Sequence, residues 1–151
     1  MVKKLNRQEI ENLMPHGEPF LFIDSAEIGI GVAKMRYKIR DDEYFFKGHF
    51  KGNPVFPGTL MFEAIGQLGV LYLLSSDDPA IEKPVDKEKI FFMSSDNARC
   101  TRICRPGETL DIDLKVSRIR RPLFFFEGKS SVNGERAAFV EKATLTFDYK
   151  S

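Results

Sequence analysis

The chain has 151 residues, 42% of them apolar and 30% charged, with 23 basic against 22 acidic side chains for a formal charge of +1. That length holds about one domain with a filled core, which excludes a disordered or fibrous chain. Near neutrality gives no electrostatic case for nucleic acid, and there is neither an unbroken apolar run of about 18 residues nor a signal-peptide core, so no membrane partner and a cytoplasmic location are expected.

In chain order, Arg7–Met14 sets Ile10, Leu13 and Met14 at helical spacing, and Pro15 stops a short capping helix. Phe20–Arg40 is rich in β-favouring residues and broken by Gly29 and Gly31, which predicts two strands joined by a tight turn. Asp41–Phe56 has no period and many Gly, Pro, Asn and aromatic residues, the mark of a long ordered loop of the kind that carries function. Pro57–Leu74 is apolar nearly all round. At about 1.5 Å per residue it forms a helix of roughly 27 Å that must be buried on most sides, with Pro57 in its first turn. Ser75–Lys89 is a polar connection. Strands are then expected at Ile90–Thr101, at Thr109–Val116 with Leu110, Ile112, Leu114 and Val116 inward, and at Leu123–Val132 and Arg136–Tyr149 around an Asn133–Gly134 hairpin. One long helix and about six strands bury each other only if the sheet curls around the helix, an α+β arrangement in a single domain over 1–151. A sheet curled in this way keeps free edges, which pairing across a two-fold axis would cover.

Cys100 and Cys104 form neither a zinc knuckle nor a redox pair. Along a strand they would lie about 13 Å apart, too far to bridge, so both are read as free thiols. No phosphate loop or metal-ligand constellation is present in the sequence, and no metal or cofactor is expected.

The chemistry points to two residues. Glu63 lies between Met61, Phe62, Ala64 and Ile65 on the apolar helix, where an ionised carboxylate is costly unless it faces a polar pocket. Thr59 and Gln67, one turn either side, share its face and are candidates to hydrogen-bond it. His49 sits in the loop between Gly48 and Phe50, where glycines allow close approach and aromatics exclude water. Gly58 opens the helix, with its N–H placed to hold an oxyanion. An imidazole, a carboxylate and a helix N-terminus together suit proton abstraction next to a carbonyl. His16, the other histidine, reads as a side chain that satisfies backbone carbonyls. The arginines at 99, 102, 105, 118, 120 and 121 read mostly as a solvated charged face, with a docking patch for an acidic partner or a phosphate as the functional alternative.

Gly48–Gln67, G-H-F-K-G-N-P-V-F-P-G-T-L-M-F-E-A-I-G-Q, closely resembles the active-site signature of the (3R)-hydroxyacyl-acyl-carrier-protein dehydratases of type II fatty acid synthesis. The likeness extends to L-M-P-H-G-E-P-F-L-F-I-D at Leu13–Asp24, and to F-M-S-S-D-N-A-R and R-P-G-E-T-L further on, so that it covers nearly the whole chain. The resemblance implies a hot-dog fold and a homodimer, or a trimer of such dimers, with His49 and Glu63 brought together from opposite chains. It implies that His49 removes the C2 proton, that Glu63 assists loss of the C3 hydroxyl as water, and that the Gly58 amide holds the thioester oxygen. Thr59, Gln67, Phe50 and Phe91 then fall around the substrate, and Arg99, Arg102 and Arg121 are candidates to dock acyl carrier protein. Glu at the carboxylate position resembles the dehydratase-only branch. The sequence departs from the family pattern at Lys51, where proline is usual, at Gly17 and Ser25, where arginines are typical, and at Phe91, where tyrosine is common. A hot-dog thioesterase in which Glu63 activates water, and a non-catalytic domain that binds acyl carrier protein, are the alternatives.

Overall fold

The computed structural model describes residues 2–151. Its strands are β1 (Lys3–Leu5), β2 (Ser25–Ile28), β3 (Val32–Lys38), β4 (Phe91–Cys100), β5 (Thr109–Arg120), β6 (Leu123–Val132) and β7 (Glu135–Thr146), and its helices are α1 (Arg7–Leu13) and α2 (Gly58–Ser75). The strands form one seven-stranded antiparallel sheet in the order β1-β2-β3-β5-β6-β7-β4, with α2 against one face, the hot-dog arrangement.

The period-two pattern does what it predicts along β5, where Leu110, Ile112 and Leu114 are buried towards the helix. A register break between Val116 and Arg118 interrupts the alternation, leaves Val116 half-buried, and lets β5 run on to Arg120 beyond the expected end. Asn133 and Gly134 both adopt positive φ (50° and 82°), the backbone a two-residue hairpin turn demands. β1 is a strand the sequence reading lacks, three residues paired to β2. Phe20–Asp24, expected to begin a strand, instead stays irregular, because its backbone bonds elsewhere: Asp24 N–H donates to Arg36 O at 2.8 Å and Phe22 N–H to the Gln67 side chain at 2.8 Å.

Pro57 caps α2 from outside instead of lying in its first turn. By length and composition alone α2 passes for a membrane span, although Thr59, Glu63 and Gln67 interrupt its apolar run. Its Met61, Ala64, Ile65, Leu68 and Leu71 are instead buried within the protomer. Two glycines let helix and sheet approach closely: Gly128 faces the Ile65 side chain, and a Cβ on Gly69 would lie 2.6 Å from Phe126 Cζ. Phe126 is fully buried and has nowhere to move. Gly69→Ala should therefore destabilise the protein by roughly 1–3 kcal/mol, read as a lower urea midpoint with an unchanged slope.

β4 is an edge strand and exposed along its length, with Phe91, Phe92 and Met93 at 62%, 67% and 57% exposure. An unpaired ladder bearing three consecutive large apolar side chains is a surface that needs covering.

Candidate active site

The loop 41–56 is held at both ends. The Tyr37 hydroxyl, on β3, donates to the buried Glu43 carboxylate, and burial pushes the Tyr37 phenol well above its usual range, so it remains a donor. Edge-to-face contacts of Phe56 with Phe22 and Phe45 pack the loop on the core. Its far end is tied to the segment after β4, where Phe56 N–H donates to Cys104 O and the Arg105 guanidinium to Asn53 Oδ1 at 2.7 Å.

This frame fixes the tautomer of His49. Its Nδ1 lies 2.8 Å from Val55 O, and a carbonyl can only accept, so Nδ1 carries the proton. In the neutral ring Nε2 then carries the lone pair, where it can act as a base. The ring is half-buried and stacks on Phe50 at 3.9 Å between centroids, with Phe50 itself 51% exposed.

Glu63 is held by its own helix. Gln67, fully buried, accepts from Phe22 N–H and donates through Nε2 to Phe20 O at 3.1 Å and to Glu63 Oε2 at 3.0 Å. Among the described residues Glu63 Oε1 has no hydrogen-bond partner, and its side chain is 35% exposed. Thr59, the other residue expected to bond it, is exposed and makes no hydrogen bond to it, since the carboxylate leans towards Gln67. Within the protomer His49 and Glu63 make neither a hydrogen bond nor an ion pair.

The first amide of α2 is open. Pro57 provides no side-chain cap, and Gly58 N–H donates to no described residue, while Leu60 and Met61 N–H both reach Pro57 O. Cys100 Sγ, at the end of edge strand β4, packs 2.9 Å from where a Cβ on Gly58 would lie. A larger residue there would have to push that thiol aside, and with glycine the amide sits beside the sheet edge. Burial raises the thiols of Cys100 and Cys104, which are both free.

His16 departs from the sequence reading, which has it satisfying backbone carbonyls. Its Nε2 lies 3.6 Å from Glu63 Oε2, and its buried Nδ1 has no partner. Nothing in periodicity marks it, because its position depends on the path of the irregular segment before β2.

Of the three arginines considered for docking, Arg102 bonds Glu108 through both terminal nitrogens and Glu135 through Nε, and Arg121 pairs with Asp148 at 3.1 Å. Arg99 bonds Asn97 Oδ1 and has no carboxylate partner among the described residues. No group of three or more His, Cys, Asp or Glu converges as a metal cluster among the described residues.

A family model described as a FabA-like domain matches residues 14–141. The chain is 37% identical over 148 residues to the 3-hydroxyacyl-(acyl-carrier-protein) dehydratase FabZ of a Caulobacter species, covering 93% of this chain and 85% of the relative. It is 36% identical over 143 residues to the enzyme of the same name from a Nitratiruptor species, covering 93% and 96%. A chain of the dehydratase heterocomplex ApeI:P from Xenorhabdus doucetiae superposes with a TM-score of 0.75 at 15% identity, over 93% of this chain and 91% of that one, which is a likeness of fold. With the matched residues spanning the His49 loop, α2, β4 to β6 and the first half of β7, the chain belongs to the FabA-like family.

Proposed function

We propose that this chain removes water from (3R)-3-hydroxyacyl thioesters of acyl carrier protein, giving trans-2-enoyl thioesters in fatty acid or related lipid synthesis. The observation that carries this reading is the His49 tautomer: a bond from Nδ1–H to Val55 O leaves a basic Nε2 in a chain 37% identical to a dehydratase. Nε2 takes the C2 proton, and the electrons of the C2–H bond become the C2=C3 bond as the C3–O bond breaks. Glu63 Oε1 supplies a proton to the departing hydroxyl, which leaves as water, and Gly58 N–H stabilises the charge on the thioester oxygen.

The pair is completed by a second copy of the chain. Antiparallel pairing of two β4 edges would cover Phe91, Phe92 and Met93. Centred on the middle of the ten-residue strand, such pairing sets Phe91 of one copy opposite Cys100 of the other, beside Gly58, and makes Phe91 a wall of the partner's site. Arg99, with no carboxylate partner among the described residues, is the best-supported of the three arginines for steering an acidic carrier protein. Two unpaired thiols support a reducing, cytoplasmic setting for this single hot-dog domain.

The test is isotopic. Incubating the protein with a trans-2-enoyl thioester in H2(18)O drives the reverse hydration, and label should appear on C3 of the intact thioester. Label in a released carboxylate would identify a thioesterase. No label in either product, with carrier protein still bound, would identify a binding domain.

A further inference from the structure

Glu63 sits in an asymmetric cradle. Gln67 holds one carboxylate oxygen, Oε2, and the imidazole of His16 faces that same oxygen at 3.6 Å, while Oε1 is left free. The two donors come from different places, Gln67 from α2 itself and His16 from the irregular segment between α1 and β2, which Gln67 also ties down through Phe20 O and Phe22 N.

The state of His16 follows from its other nitrogen. Nδ1 is buried without a hydrogen-bond partner among the described residues. A proton there would bury a donor with no acceptor, which disfavours both the Nδ1–H tautomer and the doubly protonated ring. The ring is thereby left neutral, with its one proton on Nε2, aimed at Glu63. Burial lowers the His16 pKa against the opposing pull of the Glu63 carboxylate, in the same direction. Glu63 is the acidic side chain within 4.0 Å of His16, and His16 the basic one within 4.0 Å of Glu63, among the described residues. His49 is thus proton-bearing on Nδ1 and His16 on Nε2, one histidine set as an acceptor and the other as a donor.

We propose that His16 is a positioning residue for Glu63, whose Nε2–H closes on Oε2 and, with Gln67, holds the carboxylate so that Oε1 points to the departing hydroxyl. At 3.6 Å the pair lies outside hydrogen-bond range, and a movement of about half an ångström brings it within reach, as catalytic contacts commonly tighten when substrate arrives. Once Glu63 has given its proton away, both donors face the oxygen that shares the new negative charge. This role rests on the dehydration reading above.

Two measurements on the full-length protein test it. Imidazole (15)N chemical shifts at neutral pH, which need no substrate, should show His16 protonated on Nε2 and bare on Nδ1, and His49 the reverse. Steady-state kinetics should then separate two substitutions. His16→Phe fills the space without a donor and should lower kcat about 10- to 100-fold with little change in KM, the worth of a hydrogen bond to a charged group. His16→Gln places an amide N–H near the Nε2 position and should recover kcat to within about threefold of wild type. The proposal is overturned by an Nδ1–H or doubly protonated His16, by His16→Phe retaining kcat within about threefold, or by His16→Gln failing as badly as His16→Phe in a folded protein. If His16→Phe does not fold, His16→Gln and the (15)N shifts decide. A wild-type protein that hydrates no enoyl thioester would remove the dehydration reading instead, with the tautomer result unaffected.

Discussion

Glu63→Gln should lower turnover of a 3-hydroxyacyl thioester by about 10²- to 10⁴-fold while the protein stays folded. The substitution keeps the shape of the side chain, and an amide oxygen can still accept from Gln67 Nε2 as Oε2 does now at 3.0 Å. What it removes is the ability to deliver a proton. His49→Ala should cause a loss of the same order, but it also deletes the bond to Val55 O that orders the loop, about 0.5–1.5 kcal/mol, and so mixes chemistry with stability. The double variant should be little worse than either single one, because two groups that act on the same step do not contribute independently. Near-native activity of folded Glu63→Gln, measured spectrophotometrically alongside a melting curve, would remove the carboxylate from the mechanism.

What can be read from the sequence, and what cannot, follows from how local each feature is. α2 and its Glu63–Gln67 contact are set by 3.6-residue periodicity within one segment, and the helix found at Gly58–Ser75 lies within one residue of the expected span. The same periodicity puts Thr59 on the Glu63 face, but a shared face does not decide which way a carboxylate leans, and the buried Gln67 captures it. The hairpin at Asn133–Gly134 is legible because those residues tolerate positive φ. β1 is not, since three residues carry no pattern and gain their order only from pairing with β2. His16 escapes for a related reason: its nearness to Glu63 arises where an aperiodic segment crosses α2, a contact between residues distant in the chain that no local rule encodes. The arginines illustrate the limit of composition, because the pairing of Arg102 with Glu108 and Glu135 depends on how the segments flanking β5 and β7 meet.

The exposed β4 edge and the lack of any hydrogen bond or ion pair between His49 and Glu63 within one protomer support the same proposal from two sides, a site with half of its chemistry on each of two chains. Gly58, packed against Cys100 at the end of β4, sits where the two halves would meet.

Subunit mixing tests that claim most directly. When His49→Ala and Glu63→Gln chains, each inactive alone, are unfolded together, refolded and shown by mass to have exchanged, about half of the dimers pair one of each. Such a heterodimer joins the intact His49 of one chain to the intact Glu63 of the other at one of its two sites. Recovery to about a quarter of wild-type specific activity is expected. Verified heterodimers with no activity above either parent would show that the pair is completed within one chain, and would contradict a site shared across the two-fold axis.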